Sequence, residues 1–447
     1  MARPEPPPGP RFAPLQALHL LREPVTYFER LQRRFGDAFT VPIPLFGKVA
    51  YFADPEVVRE LFRADPAVFH AGEANADALG PVVGANSVIT LDDDAHLRER
   101  KLLLPPFHGD RINRYAELFA EIAAREVERW PVGEEFALRP RMQALSLEAL
   151  LRTVYGVDDD ERVREYHRAV AHMIHVSNIA VWVPALRRDA GRLSPWGRFL
   201  RARAAFDRLV HEDIDRGRAD PAALAERDDV LSMLLQAQRE DGSLLTREEL
   251  RDELTTVIVA GHETTATGLS WFFERVLRHP EVEERLRSGD DAYLEATVQE
   301  VLRTRPPFFD VVRRLTRDAE VGGYRIPAGM MAGLSIVLVH QRPDVYPEPR
   351  AFRPERFLET APGGFTWIPF GGGVHRCIGA SFSLLETRTI ARAILERVRL
   401  RPADPAPETP RTNNVMMVPE HGTRVVLEER CVPATSVTTP QRSATAA

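Results

Sequence analysis

The sequence predicts a mainly α fold with a minor β region, built as a single large domain. Three observations carry this. Amphipathic helical patterns dominate from Asp94 to Arg303. Clear alternation is confined to Ala38–Val41 and Val49–Phe52, two short segments separated by Gly47. The 447 residues are long enough for about three domains, yet no composition break, long linker or internal repeat divides them.

Taken in order, Pro4 to Pro10 is a stiff, extended, proline-rich leader, and residues 1–10 are set apart from the domain on that ground. The two alternating segments form a hairpin. Asp54-Pro55 supplies an N-cap and an N1 proline for a helix through Phe62. The Gly-, Ala- and Asn-rich stretch Phe69 to Asp94 reads as a long loop. Pro-rich loops cover Tyr346 to Phe357 and Arg401 to Pro410. The domain is expected to span 11–429, with 430–447, rich in Ser, Thr, Ala and Pro, as a disordered tail.

Composition excludes several classes. A formal net charge of −6 gives no reason to expect nucleic acid as a partner. Two cysteines, Cys377 and Cys431, cannot organise a disulfide framework, and a reducing compartment fits them. No apolar run approaches the ~20 residues of a membrane span, and the N-terminus lacks a signal-peptide core. The chain therefore reads as a cytoplasmic monomer without a membrane anchor. Its only lysines are Lys48 and Lys101, the other basic residues being arginines.

The richest stretch is Phe370-Gly371-Gly372-Gly373-Val374-His375-Arg376-Cys377-Ile378-Gly379-Ala380. Three glycines let the backbone pass close to something flat and bulky without Cβ contacts. The residues after it, Ile378 to Leu400, read as a helix, which sets Cys377 at an N-terminus where free amides favour a thiolate. A thiolate on a Gly-rich loop suits iron, and haem held through cysteine sulfur is pushed towards O–O cleavage. A dinucleotide GxGxxG would need glycine at position 376, which is Arg376; a Walker A loop would need a following Gly-Lys-Ser/Thr. A plain Gly-rich turn before a buried cysteine is the bland alternative.

This segment resembles the haem-binding signature of the cytochrome P-450 monooxygenases, with Phe370, Gly373, His375, Cys377 and Gly379 filling the pattern. His375 stands where many members carry arginine. The resemblance implies haem b, iron protoporphyrin IX, ligated by Cys377 as the one metal ligand.

A second anomaly lies in the helical pattern from Thr246 to Arg278, roughly 33 residues or ~50 Å. Thr246-Arg247-Glu248-Glu249 is a capping box and His279-Pro280 a stop. Its middle is apolar all round, as in a helix buried in a large protein. Yet Gly261-His262-Glu263-Thr264-Thr265 interrupts it, and buried carboxylates and hydroxyls are costly unless paired or employed. A zinc-binding HExxH fails because position 266 is Ala266. A hydrogen-bonded patch between two helices would be the structural explanation. The run also resembles the family's oxygen-binding helix. That likeness implies that Gly261 makes room above the haem and that Glu263 and Thr264 relay protons as the catalytic pair.

Glu300-Val301-Leu302-Arg303, on its own an ordinary i,i+3 ion pair, joins Phe352-Arg353-Pro354-Glu355-Arg356-Phe357 in resembling the family's Glu-x-x-Arg plus second-arginine triad. Glu300, Arg303 and Arg356 would then be structural. His96 and Arg100 share one face of a basic helix. A solvated surface accounts for them equally until the resemblance makes them partners of haem propionates. Arg313, contested by its neighbour Arg314, and His375 would complete that set.

The resemblance implies a monooxygenase that draws electrons, ultimately from NAD(P)H, through a separate ferredoxin or flavoprotein reductase. Docking is expected near Cys377, at Arg98, Lys101 and Arg376. The Arg353–Phe357 run and proline leader look more like the membrane-bound branch, leaving the partner's class open. Pro307, Phe308, Phe309, Val311, Val312, Met416 and Met417 suggest an apolar pocket, and Met173 to Leu200 a lid. The substrate is expected to be lipophilic: a terpenoid, fatty acid, steroid or polyketide, hydroxylated or epoxidised. A peroxygenase driven by H₂O₂ and a non-catalytic haem sensor are the rival readings.

Overall fold

A computed structural model of the chain describes residues 5–43, 46–107, 109–180, 186–192 and 194–431. Two helices open it, α1 (Ala13–Arg22) and α2 (Pro24–Phe35), followed by the strands β1 (Ala38–Ile43) and β2 (Gly47–Phe52) and by α3 (Pro55–Arg63). A two-residue strand β3 (Phe69–His70) runs into α4 (Ala71–Val83), then α5 (Asp93–Leu103) and α6 (Tyr115–Val127). Beyond β4 (Glu135–Ala137) come α7 (Leu138–Val154), α8 (Asp160–Ala180), α9 (Pro195–Ala219), α10 (Pro221–Glu226) and α11 (Val230–Gln236). The long α12 (Arg247–Val276) leads to α13 (Pro280–Arg287) and α14 (Asp291–Thr304). The strands β5 (Asp310–Leu315), β6 (Ala319–Val321), β7 (Tyr324–Ile326) and β8 (Met331–Ser335) come next, with the short α15 (Ile336–Val339) and α16 (Arg356–Glu359). Last are α17 (Ala380–Arg397), β9 (Val398–Pro402), β10 (Pro410–Asn413), β11 (Met416–Pro419) and β12 (Arg424–Arg430).

The helical mass is organised around α12. Its capping box forms as expected: Thr246 Oγ1 accepts from the Glu249 amide at 3.2 Å and Glu249 Oε2 from the Thr246 amide at 2.8 Å. Leu254, Ile258, Ala266, Leu269, Trp271 and Phe272 are all fully buried, and α7, α9, α14 and α17 pack on it. The helix stops at Val276, two residues short of Arg278. Trp271 Nε1 donates to Met417 O at 3.0 Å, tying α12 to the β10–β11 hairpin.

The minor β region is a five-stranded sheet in the order β1-β2-β8-β5-β3 plus three small sheets. The hairpin expected from the alternation pairs antiparallel, Ala38 opposite Phe52 through Ile43 opposite Gly47. Asp54 caps α3 by accepting from the Glu56 amide at 2.7 Å. The part of the proline leader that is described lies along β1, where Thr40 donates its amide to Pro8 O and its hydroxyl to Pro7 O.

Three expectations need correction. Phe69 to Asp94 is not one loop, because β3 and α4 occupy its first half. Gly72, Gly80 and Pro81 hid that helix, and its cap is remote: His70 makes no side-chain cap, while Asp92 accepts from the Gly72 and Glu73 amides at 2.8 and 2.7 Å. The last helix runs Ala380–Arg397 rather than to Leu400, since Val398–Pro402 is recruited by β12. Arg430 and Cys431 are not tail: Arg430 ends β12, and the Cys431 amide donates to Arg397 O at 2.7 Å. The rest of the expected tail, 432–447, and parts of the expected lid lie outside the described residues.

Gly333 in β8 lies beneath an aromatic ring. A Cβ there would sit 2.8 Å from the Tyr51 ring, which crosses this position from β2. Gly333→Ala is therefore expected to lower stability by about 1–3 kcal/mol through overpacking, measured as a drop in urea midpoint; an unchanged midpoint contradicts the packing described.

Candidate functional site

Cys377 sits at the end of a tight loop. Its amide donates to Phe370 O at 3.0 Å, and the Gly371 and Arg376 amides donate to Ile368 O and Gly373 O at 3.1 Å. Gly373 has φ +66° and a Cβ on it would lie 2.5 Å from Phe62 O, while one on Gly372 would collide with the Phe62 ring. Only glycines let the loop pass α3 so closely. The helix starts at Ala380, so Cys377 precedes it by a turn rather than lying within it. Burial pushes the Cys377 thiol up, against the opposing pull of the Gly379 amide and the Arg376 and Arg100 charges. The residue nonetheless keeps solvent access in its loop. A bound metal cation would displace this proton to solvent and hold the thiolate.

The loop is held by a buried ionic network. Glu300 and Arg303, both wholly inaccessible, pair through two bonds of 2.7 and 2.8 Å. Arg303 also donates to the carbonyls of His340 and Pro349 at 2.8 Å. Glu300 Oε1 accepts from Arg356 Nε at 3.2 Å and from the Arg353 amide at 2.9 Å. His340 extends the network to the cysteine loop: Nδ1 lies 3.1 Å from Arg303 O and Nε2 accepts from the Ile368 amide at 2.8 Å. Trp367 Nε1 donates to Gln299 O at 3.1 Å and its ring packs on Phe370 at 5.9 Å.

Around this loop gather two guanidinium and two imidazole groups. The His96 and His375 rings stack at 3.8 Å. Burial, then the neighbouring Arg100 and Arg313 charges, holds His96 down at about 4. Burial and Arg313 hold His375 at about 3. Burial also lowers Arg100, and it lowers Arg313 to about 10. Arg314 is resolved from its neighbour, turning to Glu73 and Asp77 of α4 at 3.5 and 3.4 Å. Among the described residues, the carboxylate paired with the cluster is Asp92, 3.7 Å from His375, and α4's amides already occupy it. Such an assembly calls for an external anion.

On α12 the residues Ala260 and Thr264, one turn apart, keep accessible surface in the midst of a buried helix, as does Cys377 in its loop. Thr264 Oγ1 donates to Ala260 O at 2.6 Å. Next to it, Thr265 Oγ1 lies 3.1 Å from Ser383 Oγ, which joins this point of α12 to the first turn of α17. Glu263 does not reach Thr264: its oxygens accept from Arg139 and Gln143 of α7, both at 2.6 Å. Gly261 faces α7, where a Cβ would meet Leu150 at 3.0 Å, so its missing side chain serves helix packing. Two of the segments expected to line a pocket touch each other, Phe308 bridging to Met416 and the Met417 amide donating to Pro307 O.

Residues 4–426 match the family described as Cytochrome P450. The chain belongs to the cytochrome P450 family. It is 42% identical over 450 residues to cytochrome P450 135B1 of Mycobacterium bovis, covering 97% of this chain and 94% of that one. Against cytochrome P450 138 of Mycobacterium tuberculosis it is 37% identical, with 90% and 91% covered. Among solved structures, a cyanobacterial CYP120A1 bound to retinoic acid superimposes with a TM-score of 0.83 at 24% identity, covering 95% of this chain and 100% of that chain. The cytochrome P450DA heme domain gives 0.82 at 23%, covering 96% and 99%. These last two establish the fold. As a P450, the chain is a haem monooxygenase with a cysteine-thiolate ligand, using O₂, a small-molecule substrate and a redox partner. Among the described residues no helix is long and apolar enough to cross a membrane.

The residues fit that cofactor: an accessible sulfur, the Arg100 and Arg313 guanidiniums with no carboxylate pair among the described residues, and beside them two stacked neutral imidazoles able to hydrogen-bond an anion. Arg139, Gln143, Asp92 and His340 were missed by sequence reasoning. Only for His340, beside an apolar run and before a proline loop, did the sequence carry any local sign of burial.

Burial and the Arg303 charge hold the His340 imidazole down at about 3. Its neutral form stabilises the fold fully above about 6.5, the unfolded value, and that contribution is lost as pH falls from there towards 3. His340→Gln retains a donor and an acceptor without titrating. The variant should show a shallower fall in urea midpoint across this window; parallel slopes would exclude His340 as a source of acid sensitivity.

Proposed function

We propose that this P450 oxidises a lipophilic small molecule, by hydroxylation or epoxidation, with electrons from a separate ferredoxin or flavoprotein. The supporting observation is the join between α12 and α17, Thr265 to Ser383, which sets the accessible Thr264 beside the start of the cysteine helix. Cys377 would ligate the iron, with His96, Arg100, Arg313 and His375 on the propionates and Phe370 packed behind the loop. When bound, the haem supplies O₂ activation.

The chain's own residues bind the substrate and move the protons. Phe308, Val311 and Met416 offer apolar walls that exclude water. Thr264 Oγ1 rotates off Ala260 O to hand a proton inward. Glu263 resupplies it: its carboxylate swings away from Arg139 and Gln143, takes a proton from bulk water and passes it to Thr264. Glu263 is therefore a gated donor, held in reserve by two bonds from α7.

Thr264→Ala should leave reductant consumption within about twofold of the parent while diverting it from product to free H₂O₂, cutting product per NAD(P)H about tenfold. Undiminished coupling would remove Thr264 from the relay. Equal turnover of the parent with H₂O₂ alone would favour the peroxygenase reading, and no turnover with any surrogate partner the sensor.

Partner docking is proposed at the exposed Arg98, Lys101 and Arg376, joined by the exposed apolar Val374. Lys101 makes only an exposed 3.2 Å pair with Glu240, cheaply released. Charge reversal at Arg98 and Lys101 should slow the first electron transfer from an acidic ferredoxin about tenfold at low salt and less at high salt. A rate indifferent to both would move the docking face elsewhere.

A further inference from the structure

We propose that α1 docks the protein onto the surface of an anionic lipid bilayer, with its outward leucines at the acyl boundary and its flanking arginines on the lipid phosphates. The helix is turned the wrong way round for a piece of the core. Its buried residues are Gln16 and Leu20. The glutamine is held inward by polar bonds: Oε1 accepts from the Tyr27 hydroxyl at 2.8 Å, and Nε2 donates to Phe12 O at 3.1 Å. The outward positions carry the larger apolar groups, Phe12 at 66% exposure, Leu15 at 46%, Leu18 at 42% and Leu21 at 52%. Of the ten large hydrophobics exposed among the described residues, four thus fall within one stretch of ten. That is a patch, not the scattered exposure that needs no explanation.

Spacing and anchoring fix the direction of the patch. Leu15, Leu18 and Arg22 recur at i, i+3 and i+7, one line along the helix, with Leu21 beside Leu18. Arg11 and Phe12 stand at the helix entry. The helix is tied to the rest of the fold: Thr412 Oγ1 donates to Leu20 O at 2.8 Å, Arg411 donates to Arg22 O, and the His19 and Tyr27 rings stack at 5.6 Å. Bonded in this way to β10 and α2, it cannot roll to bury the leucines against its own chain.

Charge selects the occupant. No acidic residue lies between Arg11 and Arg22. Both arginines are exposed, and neither side chain pairs with a carboxylate among the described residues. From Arg11 to the end of α2 there are five arginines to two glutamates, in a chain whose net charge is −6. Outward leucines with arginines at both ends are the make-up of an interfacial helix, whose apolar side enters the headgroup boundary while its basic residues attract anionic lipid. Ten residues rise only about 15 Å, too little to cross a bilayer, so the helix lies flat. A second copy of this chain is the other occupant that an apolar face admits. In a two-fold pairing of α1 on itself, arginine meets arginine in either direction, with no acid on the helix to answer. A phosphate-covered surface attracts where that contact repels.

The haem-loaded full chain is mixed at low salt with vesicles of phosphatidylcholine alone, or of phosphatidylcholine and phosphatidylglycerol in equal parts, and the bound fraction is read by flotation. The parent is expected to bind the anionic vesicles about tenfold or more tightly than the neutral ones, with salt weakening the binding. Leu15→Ser, Leu18→Ser and Leu21→Ser together should cut affinity for the anionic vesicles about tenfold. Because these side chains face solvent, the triple variant should keep the parent's haem spectrum and urea midpoint. Arg11→Gln with Arg22→Gln leaves the leucines in place and should bring the two vesicle types to within about threefold of each other. Absence of flotation with anionic vesicles overturns the proposal without any variant. Undiminished flotation of the triple variant does so too, by moving the contact elsewhere. A concentration-dependent dimer seen by light scattering and abolished by the three serines, in protein that ignores vesicles, would give the face to a second copy and overturn it likewise.

Discussion

The site depends on Glu300, a single carboxylate shared between two guanidinium groups and a backbone amide with no access to water. Pairs this deeply buried recover their desolvation cost only when every partner is present, and removing one typically costs about 3–5 kcal/mol. Here the partners belong to parts of the chain some 50 residues apart. Arg303 reaches the carbonyls of His340, Pro349 and Ala351, and Arg356 those of Pro347 and Glu348. The loop before the cysteine is thereby fixed without secondary structure of its own. His340 carries this order into the loop by bonding the Ile368 amide. The Phe357, Trp367 and Phe370 rings continue it towards the sulfur.

Helix α12 supplies the opposite wall and shows how polar groups survive in an apolar helix. Most are answered, some within the helix and some from neighbouring segments, although Glu253 Oε2, His262 Nδ1 and Thr267 Oγ1 stay without a partner among the described residues. Thr255, Thr256 and Thr264 turn their hydroxyls back to the carbonyl four residues earlier. Glu263 is answered from α7, and Asp252 by the Asn86 amide and side chain together with Arg251. Back-bonding of this kind is a modest destabiliser of helices, and burial of the neighbouring apolar residues outweighs it. The catalytic pair inferred from the sequence is consequently not preassembled. The two groups are parked on different partners, and catalysis as proposed requires both to turn.

Much of the fold and site was legible in the sequence, and the reasons are physical. The hairpin, the Asp54 cap and the Thr246 capping box are written within a few residues of where they act. Cys377, Glu300 and Arg356 stood out because short motifs join chemically unusual residues. What was hidden lies in pairings across long separations. Asp92 caps a helix that starts 21 residues earlier in the chain, at Ala71. Tyr51 finds Asp310 across 259 residues and Arg139 finds Glu263 across 124, and neither residue has a local peculiarity to announce it. Gly261 illustrates the reverse error. A motif named the right residue, while the helix turned its vacant side towards Leu150.

Asp92 touches two economies at once. The carboxylate that caps the first amides of α4 is also a negative neighbour of the stacked imidazoles. Loss of that one side chain would therefore loosen two structures together, the first turn of α4 and the wall against which the imidazoles stack.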